Sequence, residues 1–235
     1  MKRVAIVQSN YIPWKGYFDL IAAVDEFILL DNVQFTTRDW RNRNRIKTAS
    51  GVRWLSIPVI RGARNRPINE VESGDPDWRL EHWRILTEAY RRAPHWADAA
   101  PILERLYQGC ESTRLSTINR HFLEGVCDIL RIRAEFSRAE DYDPTGTKTE
   151  RLVDLCVKAG ADEYVTGPAA RAYLDESLFH DAGIDVRWFD YSGYPEYPQV
   201  HPPFDHQVSI LDLIVNTGPA AARYLKFAAP ASTRS

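Results

Sequence analysis

The start of the chain alternates between short apolar runs and a helical pattern. Lys2–Gln8 and Phe27–Leu30 are apolar runs of strand length, and Gly16–Ala23 between them has apolar residues at helical spacing. This order predicts a βαβ unit with parallel strands and a right-handed crossover. Ligands collect beyond the carboxyl ends of such strands, so the polar residues that follow the two strands are candidates for a site.

A hairpin and a run of helices are predicted for the middle of the chain. Ile46–Thr48 and Val52–Val59 flank a turn that ends at Gly51, and Pro58 ends the second strand or places it at a sheet edge. Helical patterns follow over Asp77–Ala93, Ala97–Tyr107 and Leu115–Leu130. We interpret residues 76–131 as an all-helical insertion.

The last third of the chain returns to alternating helices and strands. The predicted elements are a helix at Lys148–Lys158, strands at Glu163–Thr166 and Ile184–Phe189, a helix at Val208–Asn216 and a frayed tail at Ala228–Ser235. Thr147 and Glu150 have the spacing of a capping box, and Gly160 is a favoured helix end. The pattern predicts an α/β fold with a three-layer parallel or mixed sheet, Rossmann-like or nucleotidyltransferase-like in outline. Residues 1–75 and 132–235 would form its two halves.

Composition narrows the class of protein. The chain has 235 residues, a net charge of −2, 44% hydrophobic and 26% charged residues, which excludes a disordered or collagen-like chain. No apolar run is long enough to cross a membrane, and the first residues lack a signal-peptide pattern. Three widely spaced cysteines form neither a disulfide framework nor a metal pair, so we expect a cytoplasmic protein without a metal site.

Positive charge is concentrated in the hairpin region. Residues 36–66 contain nine basic residues and one acid, while the rest of the chain is acidic. On a strand, Arg43, Arg45 and Lys47 would share one face and could hold a phosphate or a carboxylate. A solvated basic face is an equally good interpretation. Nucleic-acid binding is disfavoured because the patch is single and the whole chain is slightly acidic.

The loop after the first strand resembles, in outline only, the His-x-Gly-His turn of nucleotidyltransferases. Trp14 and Tyr17 stand where the two histidines would be, and neither can supply their charge to a phosphate. No glycine-rich phosphate-binding sequence is present elsewhere. Adenylyl transfer by that route is therefore disfavoured.

Two polar stretches near the end of the chain are candidates for chemistry. Residues 190–199 are rich in tyrosine and proline and suit either a polar ligand such as a sugar or a well-packed structural loop. His206 precedes a predicted helix that carries Asp212, and a carboxylate-oriented histidine is a usable general base. A histidine that merely caps the helix is the alternative. His201 and His206 without a third ligand are weak evidence for a metal.

Longer motifs point to a family. They are Gln8…Asn10-Tyr11…Pro13-Trp14…Gly16-Tyr17, Asp31-Asn32-Val33-Gln34-Phe35, Arg38…Lys47, Gly193-Tyr194-Pro195-Glu196-Tyr197…Gln199, Pro202-Pro203-Phe204-Asp205-His206 and Ser209-Ile210-Leu211-Asp212. Together they resemble the WbqC-like family over essentially the whole chain. Ser9 stands where the family pattern has proline, which predicts a looser first loop.

The resemblance implies work in surface-polysaccharide (O-antigen) or natural-product biosynthesis. The implied reaction is transfer of an acyl or aminoacyl group to an amine or amino sugar, with a carrier-protein thioester as candidate donor and its phosphopantetheine as the one candidate cofactor. The implied catalytic residues are His206, Asp212, Asp31 and Tyr17. The implied substrate-binding residues are Gln8, Tyr11, Trp14, Gln34, Arg38, Asn42, Arg45, Lys47, Tyr194, Tyr197 and Gln199.

In this hypothesis His206, helped by Asp212, deprotonates the amine, and aromatic side chains of the first loop stack on the substrate. Arg38, Arg45 and Lys47 hold a phosphate of the donor or acceptor. Two alternatives stay open: an ATP-dependent nucleotidyltransferase or amide ligase, and a non-enzymatic scaffold or nucleic-acid-binding protein.

Overall fold

A computed structural model gives the structure of residues 1–228. Its centre is a five-stranded sheet in the order β5-β2-β1-β6-β7, with every pair of neighbouring strands parallel. The strands are β1 (Arg3–Val7), β2 (Glu26–Leu29), β5 (Glu135–Arg138), β6 (Glu163–Thr166) and β7 (Asp185–Trp188). The α/β prediction is confirmed, and the sheet is parallel throughout. Apart from Ala228, the predicted frayed tail lies outside the described residues.

Helices cover both faces of the sheet, which makes the fold three-layered. They are α1 (Lys15–Ala22), α2 (Trp78–Tyr90), α3 (Trp96–Gln108), α4 (Leu115–Leu130), α5 (Lys148–Lys158), α6 (Glu176–Asp181) and α7 (Ile210–Thr217). Side chains alternate between faces along a strand. Val4 therefore packs on one face with Leu155 of α5 and Phe179 of α6, while Ala5 packs on the other face with residues of α1 to α4.

The β-hairpin forms a separate two-stranded sheet of β3 (Arg43–Thr48) and β4 (Gly51–Ser56). β3 begins three residues earlier than predicted. β4 ends two residues before Pro58, which has no N–H to donate, and the N–H of Ile57 donates to the Asn42 carbonyl at 2.7 Å instead.

The helices of the middle third pack against the last helix, α7. Tyr90 at the end of α2 donates a hydrogen bond to Asp212 of α7, and the N–H of His95 donates to the Val215 carbonyl at 3.0 Å.

None of the helices in residues 1–228 combines the length and the apolar character that a membrane span requires.

The order of the strands has a reversal between β1 and β6. From β1 the chain proceeds to β2 and then β5 on one side, and to β6 and β7 on the other. In open parallel sheets, ligands usually bind beyond the carboxyl ends of the strands near such a reversal.

Candidate functional site

The loop between β1 and α1 is held by buried hydrogen bonds. The N–H of Ser9 donates to Oδ1 of Asp31 at 2.9 Å, and Nδ2 of Asn119 donates to the Ser9 hydroxyl at 2.9 Å. Ser9 is fully buried. The expectation of a looser loop is therefore wrong, because the N–H that proline lacks anchors the chain here.

A cavity of about 490 Å³ opens beyond the carboxyl ends of β1 and β7. Its volume falls within the usual range for small-molecule sites. The first loop contributes Asn10, Pro13 and Trp14, the hairpin region contributes Trp40 and Asn44, and the last stretch contributes Tyr191, Gly193, Tyr194, His206 and Gln207. The distant stretches that the sequence motifs single out thus converge on one cavity.

Of the predicted site residues, Trp14, Tyr194 and His206 line this cavity. The indole of Trp14 lies 5.6 Å from the Tyr191 ring and 5.7 Å from the Tyr194 ring, between centroids. Burial raises the pKa of Tyr191 to about 12, so its hydroxyl keeps its proton at neutral pH. The wall is therefore mainly aromatic, with amides from Asn10, Asn44 and Gln207 at its polar positions.

Tyr194 is fixed from behind by a buried carboxylate. Its hydroxyl donates to Oδ2 of Asp19 at 2.7 Å, while Oδ1 of Asp19 accepts the N–H groups of Lys226 and Phe227 at 2.9 and 2.7 Å. Burial raises the pKa of Asp19. The end of the described chain is thereby tied to α1 and to the cavity wall.

Gly16 is required by the position of the Trp14 ring. A Cβ at residue 16 would lie 2.3 Å from the Trp14 ring, closer than any real contact. The indole therefore folds back over the first turn of α1, and glycine alone leaves room for it.

We predict that Gly16→Ala destabilises the fold by about 1–3 kcal/mol through this clash. If the Trp14 ring is absent, the same alanine at position 16 should instead stabilise the helix by about 1 kcal/mol. Urea denaturation should show the loss in the wild-type background and no loss in a Trp14→Ala background. A stabilising effect of Gly16→Ala with Trp14 intact would contradict the assignment.

His206 stands in the cavity wall as a neutral imidazole. Burial, and next the positive charge of Lys15, lower its pKa from the ordinary value. Its Nδ1 is buried and has no hydrogen-bond partner within residues 1–228. Its ring packs edge-on against Phe204 at 4.5 Å between centroids. A neutral imidazole beside a cavity is able to accept a proton.

The predicted pairing of His206 with Asp212 is wrong. Asp212 is fully buried and accepts hydrogen bonds from Tyr90, Tyr197 and Gln199 at 2.9, 2.8 and 2.8 Å. Burial raises its pKa. Three donors thus occupy the carboxylate, and His206 is not among them. Tyr197 and Gln199 belong to this buried cluster and are absent from the cavity wall.

The expected phosphate cradle does not form on β3. Arg43, Arg45 and Lys47 do share a face, but Arg45 donates to the Gln207 carbonyl at 2.9 and 2.7 Å. Lys47 donates to Gln199 at 3.0 Å and to the Pro203 carbonyl. Arg45 and Lys47 thus connect the hairpin to residues 199–207 by hydrogen bonds. Arg38 is exposed and does not line the cavity.

Several other predicted site residues are structural. The Tyr11 hydroxyl lies 2.9 Å from Nδ1 of His82 and 2.7 Å from the Tyr107 hydroxyl, deep in the core. The Tyr17 hydroxyl donates to the Gln8 carbonyl at 2.9 Å. The remaining four are Gln8, whose backbone carbonyl accepts this bond, Asp31, which binds Ser9 and Ser116, Gln34, which donates to the Arg64 carbonyl, and Asn42, which donates to the Ile57 carbonyl. None of these side chains lines the cavity.

Lys15 packs behind the cavity wall, a role that the sequence motifs miss. It is 2% exposed and donates to the Pro195 carbonyl at 2.8 Å. Its ammonium lies 5.1–5.8 Å from the ring centroids of Tyr194, Tyr197 and Phe204. Burial lowers its pKa to about 8. The predicted helix begins at Gly16 and therefore leaves Lys15 outside it, whereas α1 begins at Lys15.

Metal ligands are not clustered in the described residues. Within residues 1–228, no group of three or more His, Cys, Asp or Glu side chains has an arrangement that could hold a metal ion.

Comparisons with known proteins assign the chain to a family. Residues 8–224 match the WbqC-like protein family. The chain is 49% identical over 228 residues to a protein of Mycobacterium tuberculosis strain H37Rv named Uncharacterized protein Rv1507c, covering 97% of this chain and 99% of the relative. No solved structure matches. The match over nearly the whole length shows that the chain belongs to the WbqC-like protein family.

Proposed function

We propose that this protein transfers an acyl or aminoacyl group to an amine of a sugar or natural-product intermediate. The observation that carries the proposal is a neutral imidazole, His206, in the wall of an aromatic cavity beside the strand reversal. A base with a lowered pKa stays unprotonated at neutral pH and can take a proton from an incoming amine.

The walls of the cavity suit the two reactants. The rings of Trp14, Trp40, Tyr191 and Tyr194 offer flat apolar surfaces for a sugar ring or an acyl chain. The amide N–H groups of Asn10 and Gln207, whose side-chain oxygens accept from Arg41 and Arg45, can donate hydrogen bonds to oxygens of a substrate. The Asn44 amide is already held by the Tyr11 carbonyl and the Arg45 N–H.

The reaction is aminolysis of a thioester. The amine nitrogen attacks the carbonyl carbon, the C–N bond forms and the C–S bond breaks. His206 takes the proton from the amine and returns it to the departing sulfur, so the imidazole is neutral again after each turnover. Asp212 and Asp31 have no part in this step, because both are buried in structural hydrogen bonds.

The proposal includes a carrier protein as donor and a cytoplasmic setting in surface-polysaccharide or natural-product biosynthesis. The three cysteines are buried free thiols, which is consistent with a reducing compartment. An ATP-using nucleotidyltransferase or amide ligase is the second candidate, favoured by a cavity beside the strand reversal, where sheets of this kind bind nucleotides. It predicts release of pyrophosphate in the presence of ATP.

The test measures thiol release from acetyl-pantetheine and glycyl-pantetheine with glucosamine as acceptor, without ATP. We expect amine-dependent release that falls about 10²-fold in His206→Asn. His180→Ala is the matched control, because His180 is 93% exposed on α6 and should leave the rate unchanged. Unchanged turnover in His206→Asn would reject the base assignment, and pyrophosphate release in a parallel assay with added ATP would favour the second candidate.

A further inference from the structure

A basic and aromatic surface lies beside the cavity mouth. We call it the hairpin rim, and it consists of Arg38, Trp40, Arg43, Trp54, Arg64 and Arg66. Trp40 and Trp54 are 39% and 41% exposed, with ring centroids 5.4 Å apart. Exposed tryptophan next to arginine is the composition of interface hot spots rather than of ordinary surface.

Contacts between neighbours make the inner part of the rim continuous with the cavity. Trp40 lines the cavity and packs on Trp54. The guanidinium of Arg43 lies 4.1 Å from the Trp54 ring centroid and donates to the Arg38 carbonyl. A partner that covers these side chains would therefore also cover the mouth.

The outer part of the rim is held beside the inner part by the backbone. Nε2 of Gln34 donates to the Arg64 carbonyl at 3.0 Å, and the N–H of Phe35 donates to the Arg66 carbonyl at 2.9 Å. Residues 64–66 therefore lie alongside the segment that leads into Arg38.

The charge of the rim is not neutralised in the described part of the chain. Within residues 36–66, the ion pairs are those of Arg41 with Asp39 at 3.7 Å and of Arg45 with Asp205 at 3.6 Å. The four rim arginines have no carboxylate partner in residues 1–228. Because the rest of the chain is acidic, an acidic partner would be drawn to the rim and repelled elsewhere.

We propose that the hairpin rim docks an acidic acyl carrier protein that delivers the donor into the cavity on its phosphopantetheine arm. This inference rests on the proposed function, since the arm must end in the thioester that the amine attacks. Arginine binds carboxylates and the phosphate of the arm, and the two indoles provide the apolar anchor. Nucleic acid is a poorer occupant, because the patch is single and the whole chain is slightly acidic.

The experiment reverses charge on the rim and keeps the cavity intact. The variant Arg64→Glu/Arg66→Glu is compared with Arg105→Glu/Arg133→Glu, which changes the net charge equally at exposed arginines on α3 and before β5. Fluorescence anisotropy measures binding of a labelled acyl carrier protein that bears its phosphopantetheine arm. Thiol release is measured with acetyl groups on that carrier and on free pantetheine.

We expect the rim variant to weaken carrier binding and raise KM for the carrier-bound donor by about tenfold, with the free pantetheine thioester turned over as in wild type. The control variant should match wild type, and added salt should weaken the wild-type complex. Equal carrier binding by the two variants, or tighter binding of a single-stranded RNA of equal charge, would overturn the docking proposal. Rim-dependent carrier binding without turnover of either donor would uphold docking and refute the proposed reaction.

Discussion

Replacing Asp212 with alanine is expected to lower the free energy of unfolding by about 4 kcal/mol. The side chain is fully buried and accepts hydrogen bonds from Tyr90, Tyr197 and Gln199. Removing the acceptor leaves the buried hydroxyl groups of Tyr90 and Tyr197 without it, while Gln199 keeps its bond to the Asp205 carbonyl. Breaking a buried polar network of this kind costs about 3–5 kcal/mol. The cluster also joins α2, the loop before α7 and β3, since the Tyr90 hydroxyl accepts the N–H of Lys47 at 3.1 Å.

Urea denaturation followed by tryptophan fluorescence measures this loss. Asp212→Asn keeps one acceptor oxygen and should cost clearly less than Asp212→Ala. Asp181→Ala changes an exposed carboxylate on α6 and serves as the neutral control. A loss below about 1 kcal/mol in Asp212→Ala would refute the structural role assigned to the cluster.

The parts of the fold that the sequence predicts are those with a strong local pattern. α5 has the predicted bounds because its capping box and its glycine end are both encoded within a few residues. β5 was missed, since the sequence of Glu135–Arg138 has one apolar residue and half-exposed side chains. Its strand character comes from pairing with β2, more than a hundred residues earlier in the chain, which no local pattern reveals.

The site was predictable as a set of loops and not as a set of side chains. The motifs identify the loops that converge on the cavity, including His206 and Trp14. The motifs do not reveal whether a given hydroxyl or carboxyl group faces the cavity or the core. The hydroxyl of Tyr11 pairs with His82, 71 residues later in the chain, and the carboxylate of Asp212 pairs with Tyr90, 122 residues earlier. Their structural roles therefore become visible only in the folded chain.

The same limit explains why Lys15 escaped prediction. Lysine is almost always exposed, so a single lysine at the start of a helix indicates surface. Here the aromatic residues that enclose it come from residues 194–204. Their approach to α1 depends on the tertiary hydrogen bonds of Asp19 with Tyr194 and with the end of the described chain.

Replacing Lys15 with methionine is expected to raise the free energy of unfolding by about 2 kcal/mol at pH 7. Burial lowers the pKa of Lys15 from 10.5 to about 8, and this difference corresponds to a cost of about 3 kcal/mol for keeping the ammonium in the fold. Losing the hydrogen bond to Pro195 offsets about 1 kcal/mol of that gain. Methionine fills similar space and its sulfur packs well on aromatic rings.

The pH dependence of this gain separates burial of the charge from a change in packing. Between the folded pKa of about 8 and the unfolded value of 10.5, the unfolded chain binds more protons, so wild-type stability from this group rises with pH. The advantage of Lys15→Met should be complete below about pH 8 and reverse above pH 10.5, where only the lost hydrogen bond to Pro195 remains. Urea denaturation at pH 7 and pH 10 measures it, with Lys226→Met as control, because that lysine lies 5.0 Å from the same Tyr194 ring but remains partly exposed. Destabilisation of the protein by Lys15→Met at pH 7 would contradict this prediction. It would mean that attraction between the ammonium and its three rings outweighs the cost of desolvation, so that Lys15 stabilises the cavity wall.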